Sequence, residues 1–178
     1  DGFELSMPNA EAGAIFDLLL ADPRVAPAGL GARDSLRLEA GLCLYGHDMN
    51  DDIDPVTASL VFAIGKTRRA AGGFVGAERV LEVLRDGPER RRVGLRFSGR
   101  QPVREGAELV TAAGEVVGHV TSGTFSPTLQ TPIAMGYVAA DYAAIGTPIR
   151  AIVREKPVEG EIAPMPFVPH RYVRTPKP

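Results

Sequence analysis

The sequence predicts an α+β fold in which a partial domain of mixed strand and helix is followed by a small antiparallel β-barrel domain. Two observations support this class. The first part of the chain carries apolar residues at helical spacing, whereas from Arg92 onward short apolar segments alternate with turn residues. The 20 glycines and 15 prolines act mainly as turn punctuation in the second part. We therefore expect residues 1–88 to form the partial α+β domain and residues 89–178 to form the barrel domain with its tail.

The first half should begin with a strand and continue with helices. Residues 3–7 alternate apolar and polar, and Asn9 is a good N-cap for a helix that runs to Asp22-Pro23. Apolar spacing predicts a mostly helical segment over residues 30–44, and a further amphipathic helix over residues 78–85 that ends at Gly87-Pro88. The chain begins with Asp1-Gly2 directly before the strand, so we expect a sequence cut from a longer polypeptide.

The second half should consist of short antiparallel strands. Their spacing is that of a barrel or a sandwich, and Ala113-Gly114 reads as a hairpin turn between two of them. The domain boundary is expected near residues 87–91. The predicted strands are residues 93–97, 108–111, 116–124, 134–138, 149–153 and 161–163.

Composition restricts the classes of partner and site. A net charge of −2, with 44% hydrophobic and 24% charged residues, is ordinary for a globular protein and indicates neither nucleic acid nor an anionic membrane as a partner. The apolar run of residues 15–21 is too short to span a membrane, and no basic segment precedes it as in a signal peptide. Cys43 is the single cysteine, so we expect no disulfide, a reducing compartment and a small buried hydrophobic side chain.

Metal and triad chemistry are not expected. The three histidines, His47, His119 and His170, are scattered singly and do not pair at metal-ligand spacing. The glycines of residues 71–76 lack the Gly-Lys-Ser/Thr ending of a phosphate-binding loop, so we interpret them as a flexible loop.

Three segments carry a family resemblance. In chain order they are Gly-Ala-Arg-Asp-Ser-Leu-Arg-Leu-Glu-Ala-Gly (31–41), Val-Thr-Ser-Gly-Thr-Phe-Ser-Pro (120–127) and Met-Pro-Phe-Val-Pro (165–169). They resemble the C-terminal half of the aminomethyltransferases, the T-proteins of the glycine cleavage system. The resemblance implies transfer of the methylene unit from aminomethyl-dihydrolipoyl H-protein to tetrahydrofolate, with release of ammonia. It implies tetrahydrofolate as the acceptor substrate, and the lipoyl-bearing H-protein and the N-terminal half of the same enzyme as partners.

The family's catalytic aspartate lies in the N-terminal half, so no catalytic residue is expected among these residues and the chain should be inactive alone. Phe62 stands where relatives often have Trp, which keeps an aromatic side chain for packing. The cytoplasm, or the mitochondrial matrix in a eukaryote, is the expected compartment.

Three residues match folate-site positions of the family. By pattern alone Glu4 is a surface carboxylate, Arg33 a member of structural ion pairs one turn from Arg37, and Tyr172 a residue that docks the tail. The resemblance implies instead that Glu4 accepts paired hydrogen bonds from the aminopyrimidine edge of the pterin, that Arg33 binds substrate, and that Tyr172 lines the pocket.

A second function class stays open at this point. The chain could be a non-catalytic folate-binding or interaction module related to the folate-binding domains of dimethylglycine and sarcosine dehydrogenases. The block at residues 33–46 and the joint presence of Glu4, Arg33 and Tyr172 favour the aminomethyltransferase interpretation.

Overall fold

The computed structural model describes residues 2–172. Its helices are α1 (Asn9–Leu20), α2 (Leu30–Glu39), α3 (Lys66–Ala71) and α4 (Ala77–Asp86), with short 3₁₀ turns at Val61–Ala63 and Ala140–Tyr142. Its strands are β1 (Arg90–Phe97), β2 (Glu108–Val110), β3 (Val116–Ser126), β4 (Thr131–Ala139), β5 (Pro148–Val153) and β6 (Lys156–Ala163). None of the helices in this range combines the length and the apolar character that a membrane crossing requires.

The six strands close into an antiparallel barrel in the order β1-β4-β3-β2-β5-β6. The hairpin between β2 and β3 turns at Ala113-Gly114 as predicted, with Gly114 at a φ of 87°. The α+β class with a small barrel is thereby confirmed, and all six predicted strands are present. Several strands are longer than predicted; for example, β1 begins at Arg90 and β6 begins at Lys156. The limits 1–88 and 89–178 remain a prediction.

The barrel interior is filled by alternate residues of the strands. Inward-facing aliphatic side chains and one phenylalanine form a single cluster of almost completely buried groups. Burying them stabilises the barrel by roughly 1.5–3 kcal/mol for each large side chain. The cluster includes Val93, Leu95, Phe97, Leu109, Val120, Val138, Ile149 and Ile162.

Strand β4 is buried on both faces, unlike a strand of a barrel whose outer side meets water. Ala134 and Val138 belong to the interior cluster, whereas Ile133 and Met135 belong to a second cluster with Leu38 of α2. Because successive side chains of a strand point to opposite faces, this second cluster lies on the outside of the barrel. Helix α2 is therefore seated on the outer face of β4.

The predicted strand at residues 3–7 is wrong. Residues 2–8 have no regular secondary structure, and the only sheet among residues 2–172 is the barrel. A strand requires a neighbour for its backbone N–H and C=O groups, and no described segment supplies one.

Two helix ends also differ from prediction. Asn9 is the first residue of α1 rather than its N-cap; Pro8 precedes the helix and no side chain caps it. Helix α2 ends at Glu39, five residues before the predicted end at residue 44. Gly41 adopts a φ of +68°, and the amides of Gly41 and Leu42 donate to the carbonyls of Leu38 and Arg37, each at 2.9 Å. This is a Schellman motif, which a glycine in the left-handed region favours.

Other helices follow the pattern more closely. Helix α4 matches the predicted helix at residues 78–85 to within one residue at each end, and Gly87 ends it. Helix α3, by contrast, was not predicted: its six residues are too few to show an apolar period.

The first forty residues bury very little of their apolar surface. Helix α1 has no buried residue, although its sequence is rich in leucine. Apolar side chains in this part of the chain are more exposed than is usual in a domain whose packing partners are all present. They include Phe3 at 101%, Leu18 at 73%, Leu30 at 82% and Leu36 at 64% of full exposure.

Candidate functional site

The end of the described chain folds back onto helix α2. The Val168 amide donates to the carbonyl of Glu39 at 3.0 Å, and the Nε2 atom of His170 lies 3.1 Å from the carbonyl oxygen of Ala40. Between this tail and the helix is a cavity of about 290 Å³. Its lining consists of Leu36, Glu39, Ala40, Thr128 and residues 168–172.

Two of the three predicted site residues lie on the elements that form this cavity. Tyr172 lines it directly and is half exposed, at 50%. Arg33 does not line it, but it precedes Leu36 by three residues and Ala40 by seven, so the three residues share one face of α2. Its side chain is exposed, and none of the ion pairs within residues 2–172 includes it. The structural ion pairs considered for Arg33 are therefore absent from the described residues.

Glu4 is not brought to this cavity. It lies in the irregular segment before α1, its side chain is exposed, and none of the ion pairs among residues 2–172 involves it. The structure thus joins the Tyr172 tail to the Arg33 helix and leaves Glu4 apart from both.

Arg37 fixes α2 to the barrel through a buried carboxylate. Its Nη1 atom lies 2.5 Å from an oxygen of Asp48, whose side chain is completely buried. Its Nη2 atom donates to the hydroxyl of Ser122 on β3 at 2.9 Å, and Asp34 takes a further contact at 2.7 Å. The positive charges of Arg33 and Arg37, one helical turn apart, repel each other. The carboxylates of Asp34 and Asp48 offset this repulsion because they neutralise the charge of Arg37.

Asp48 is saturated with hydrogen bonds. Besides Arg37, it accepts from the Leu44 amide at 2.9 Å and from the Thr121 hydroxyl at 2.5 Å. Its own carbonyl accepts from the Tyr137 hydroxyl at 2.7 Å. A buried charge is tolerated when it is both paired and hydrogen-bonded in this way. Asp48 therefore ties helix α2, the loop after it and two barrel strands together.

Glu39 makes a second anchor at the end of the same helix. The hydroxyls of Ser126 and Thr128 and the amide of Thr128 all donate to its carboxylate, at 2.5 to 3.1 Å. Burial by itself raises the pKa of Glu39, but these hydrogen bonds outweigh it and hold the pKa below the ordinary value. The carboxylate is thus kept ionised on the wall of the cavity.

Arg92 on β1 is almost completely buried, and none of the ion pairs within the described chain includes it. Its guanidinium donates to the carbonyls of Ala58 at 2.7 Å and Gly41 at 3.1 Å, and contacts the sulfur of Met135 at 2.9 Å. Arg92 thereby fixes two loops of the first half against the barrel.

Cys43 and Tyr137 are neighbours of this core and do not behave as reactive groups. Burial raises the pKa of the Cys43 thiol and raises that of Tyr137 to about 12. Cys43 is free and partly buried. Both side chains are therefore protonated at neutral pH, and the buried position predicted for Cys43 is only partly realised.

The remaining histidines have ordinary surroundings. His47 pairs with Glu105 at 2.6 Å on the surface, and His119 lies with its ring 6.3 Å from that of Tyr137. Across residues 2–172, no group of three or more histidine, cysteine or carboxylate side chains is arranged to hold a metal ion.

Sequence reasoning missed the residues that build the site. Neither Asp48 nor Glu39 is among the residues predicted for the site, and His170 is considered only as a histidine without metal-ligand spacing. No local pattern marks any of the three, because each finds its partners on a distant segment.

Comparisons with known proteins match both parts of the chain. Residues 90–169 match the family model "Glycine cleavage T-protein C-terminal barrel domain", and residues 1–68 match "GCVT N-terminal domain". The mitochondrial aminomethyltransferase of Mesembryanthemum crystallinum is 49% identical over 178 residues, which are 99% of this chain and 43% of that protein. The corresponding protein of Flaveria trinervia is 51% identical over 176 residues, again covering 43% of its length.

A solved structure agrees in fold. The glycine cleavage system aminomethyltransferase T from Bartonella henselae superposes with a TM-score of 0.89 at 45% identity, over 94% of this chain and 46% of that one. The chain thus spans less than half the length of the proteins it matches. These matches favour the aminomethyltransferase interpretation over a module related to the demethylating dehydrogenases.

Proposed function

The chain belongs to the glycine cleavage T-protein family, and from this premise we propose that it forms the C-terminal portion of an aminomethyltransferase. In this proposal the complete enzyme transfers a methylene unit from aminomethyl-dihydrolipoyl H-protein to tetrahydrofolate and releases ammonia. The observation that carries the proposal is identity of about half the residues over nearly the whole chain to proteins named for this activity.

We assign binding of the acceptor substrate to this chain. Glu4 would accept the paired N–H donors of the pterin, because a carboxylate offers two acceptors in one plane. Arg33 would supply positive charge, and Tyr172 would supply an aromatic wall. Two features support this assignment: Tyr172 lines a cavity against α2, and Arg33 shares a helix face with residues of that cavity.

The pocket would be completed by the rest of the enzyme. Glu4 and Arg33 are exposed and lack ion-pair partners within residues 2–172. Helix α1 likewise leaves its apolar side chains uncovered, since none of its residues is buried. Exposed apolar side chains concentrated in one segment in this way are typical of an interface. We infer that the N-terminal half covers it and contributes the catalytic aspartate, so that no catalytic residue lies among these 178.

The protein's part in such chemistry is orientation and proton management. N5 of tetrahydrofolate would attack the methylene carbon of the aminomethyl group carried by the lipoyl arm of the H-protein. Ammonia and the dihydrolipoyl protein would leave, and ring closure would give 5,10-methylenetetrahydrofolate. Holding N5 at the carbon converts a bimolecular encounter into a positioned one. Residues of this chain would bind and orient the folate and leave proton transfer to the other half.

The compartment follows as part of the same proposal. The plant relatives carry "mitochondrial" in their names. A single free cysteine suits a reducing compartment. We place the enzyme in the cytoplasm, or in the mitochondrial matrix if the source is a eukaryote.

Calorimetric titration with tetrahydrofolate tests the proposal, on this chain alone and on the full-length polypeptide that contains it. We expect binding by the full-length polypeptide only. Binding by neither, with both shown to be folded by circular dichroism, would overturn the assignment of a folate site. Equal binding by both would contradict the claim that the other half completes the pocket.

A further inference from the structure

The C-terminal end of helix α2 is completed by a segment that lies about 130 residues later in the chain. The last carbonyls of a helix have no partner inside the helix and must find one elsewhere. The Schellman turn satisfies those of Arg37 and Leu38. The next two, on Glu39 and Ala40, are satisfied by Val168 and His170 of the tail.

His170 makes two different contacts at once. Its Nε2 atom lies 3.1 Å from the Ala40 oxygen, and because a carbonyl only accepts, Nε2 must carry the hydrogen. Its ring packs on the ring of Tyr172, with centroids 4.7 Å apart and planes inclined by 34°. That separation and tilt fall within the range of favourable aromatic pairs. Both rings line the cavity on α2.

We propose that His170 is a positioning residue for Tyr172: it fastens the tail to the end of α2 and holds the Tyr172 ring against the cavity. The inference rests on the proposed function only where Tyr172 is said to contact folate. Tyr172 is half exposed and its hydroxyl makes no hydrogen bond within residues 2–172, so its orientation depends on this neighbour. Fastening the tail requires a hydrogen-bond donor, and packing against Tyr172 requires a flat ring. His170 supplies both in one side chain.

Three substitutions in the full-length polypeptide separate the two contacts. His170→Gln keeps an N–H donor at a similar distance and loses the ring. His170→Phe keeps the ring and loses the donor. His170→Ala loses both. His47→Ala is the matched control, because His47 is also an exposed histidine but pairs with Glu105 away from the tail.

The first readout needs no ligand. Hydrogen exchange of the Val168 amide, which donates to Glu39, reports whether the tail is held. We expect exchange about fivefold faster in His170→Ala, as follows from the loss of a hydrogen bond with a net value of about 1 kcal/mol. His170→Gln should stay near the wild type and His47→Ala should not change. Unchanged exchange in His170→Ala would overturn the inference, whatever the protein binds.

The second readout is the tetrahydrofolate Kd together with kcat. In His170→Ala we expect the Kd to rise roughly three- to tenfold while kcat stays within about twofold, since the lost contact serves binding rather than the reacting atoms. His170→Gln and His170→Phe should each restore part of the affinity. An unchanged Kd despite faster exchange would overturn the link from His170 to the folate site.

Failure of the proposed function is distinguishable from failure of this inference. A wild-type protein that binds no tetrahydrofolate would overturn the former and, with it, the ligand assigned to Tyr172. The exchange measurement alone would then decide whether His170 orders the tail.

Discussion

Replacing Asp48 with asparagine should be among the most destabilising single changes available in this protein. The side chain has no solvent exposure and accepts hydrogen bonds from Arg37, Leu44 and Thr121. Asparagine has nearly the same shape but presents an N–H₂ group and no charge. One of the three donors would then face another donor, and the guanidinium of Arg37 would lose its buried counter-charge.

The magnitude follows from the burial of the pair. The Arg37 side chain is 12% exposed and that of Asp48 is 0% exposed, so solvent screens the pair very little. Removing one partner of such a pair costs about 3–5 kcal/mol, because the other charge is left buried and unpaired.

Asp34→Asn is the matched control, because Asp34 contacts the same guanidinium. Its side chain is 44% exposed and lies three residues before Arg37 on the same helix. An exposed pair of this kind contributes about 0.2–1 kcal/mol, so the control should lower the free energy of unfolding by no more than about 1 kcal/mol.

The assay is urea denaturation of the full-length polypeptide, followed by circular dichroism, for the wild type and both variants. A double-mutant cycle with Arg37→Leu should give a coupling energy of about 2 kcal/mol or more between positions 37 and 48. A loss below 1 kcal/mol for Asp48→Asn, or an equal loss for Asp34→Asn, would refute the reasoning that burial makes this pair strong.

Three further outcomes are expected. Glu4→Ala in the full-length enzyme should weaken tetrahydrofolate binding by about 1–3 kcal/mol with little effect on Tm, because the pterin donors lose their acceptor; an unchanged Kd by calorimetry would remove Glu4 from the site. Leu18→Ser should lower the free energy of unfolding of the full-length protein by about 1.5–3 kcal/mol and leave this chain alone almost unchanged, as Leu18 is 73% exposed here; equal effects in urea denaturation would contradict an interface on α1. Glu39→Gln should cost about 1–3 kcal/mol at pH 7, since Ser126 and Thr128 donate to the carboxylate. The folded pKa of Glu39 is depressed, so its contribution is present above the unfolded pKa of about 4.3 and is lost as the pH falls through the folded pKa. The difference in Tm between Glu39→Gln and the wild type should therefore shrink below about pH 4, and a constant difference would show that the charge is not what Glu39 contributes.

Strands of the barrel could be predicted because their signal is local. A period of two and flanking turn residues are properties of neighbouring positions, and a hairpin such as that at Ala113-Gly114 closes within a few residues. The strand predicted at residues 3–7 failed for the converse reason. Its alternation was real, but a strand also requires a partner, and none of the described segments pairs with it.

The resemblance, rather than any periodicity, selected Glu4, Arg33 and Tyr172. From residue type alone each had an ordinary structural interpretation. The structure brings Tyr172 to the α2 face that also carries Arg33 and leaves Glu4 exposed and outside the cavity lining. Their role toward folate stays a prediction that the calorimetric titration tests.

The sequence by itself determined the α+β class, the six strands and the family, because apolar periodicity and the three blocks that carry the family resemblance are properties of consecutive residues. Only the tertiary structure decided which polar groups hold α2 in place. Glu39 meets Ser126 across 87 positions, Asp48 meets Thr121 across 73, and His170 meets Ala40 across 130. Closure of the barrel and packing of α2 on β4 create these pairs, and a hydrogen bond acts over about 3 Å whatever the distance along the chain.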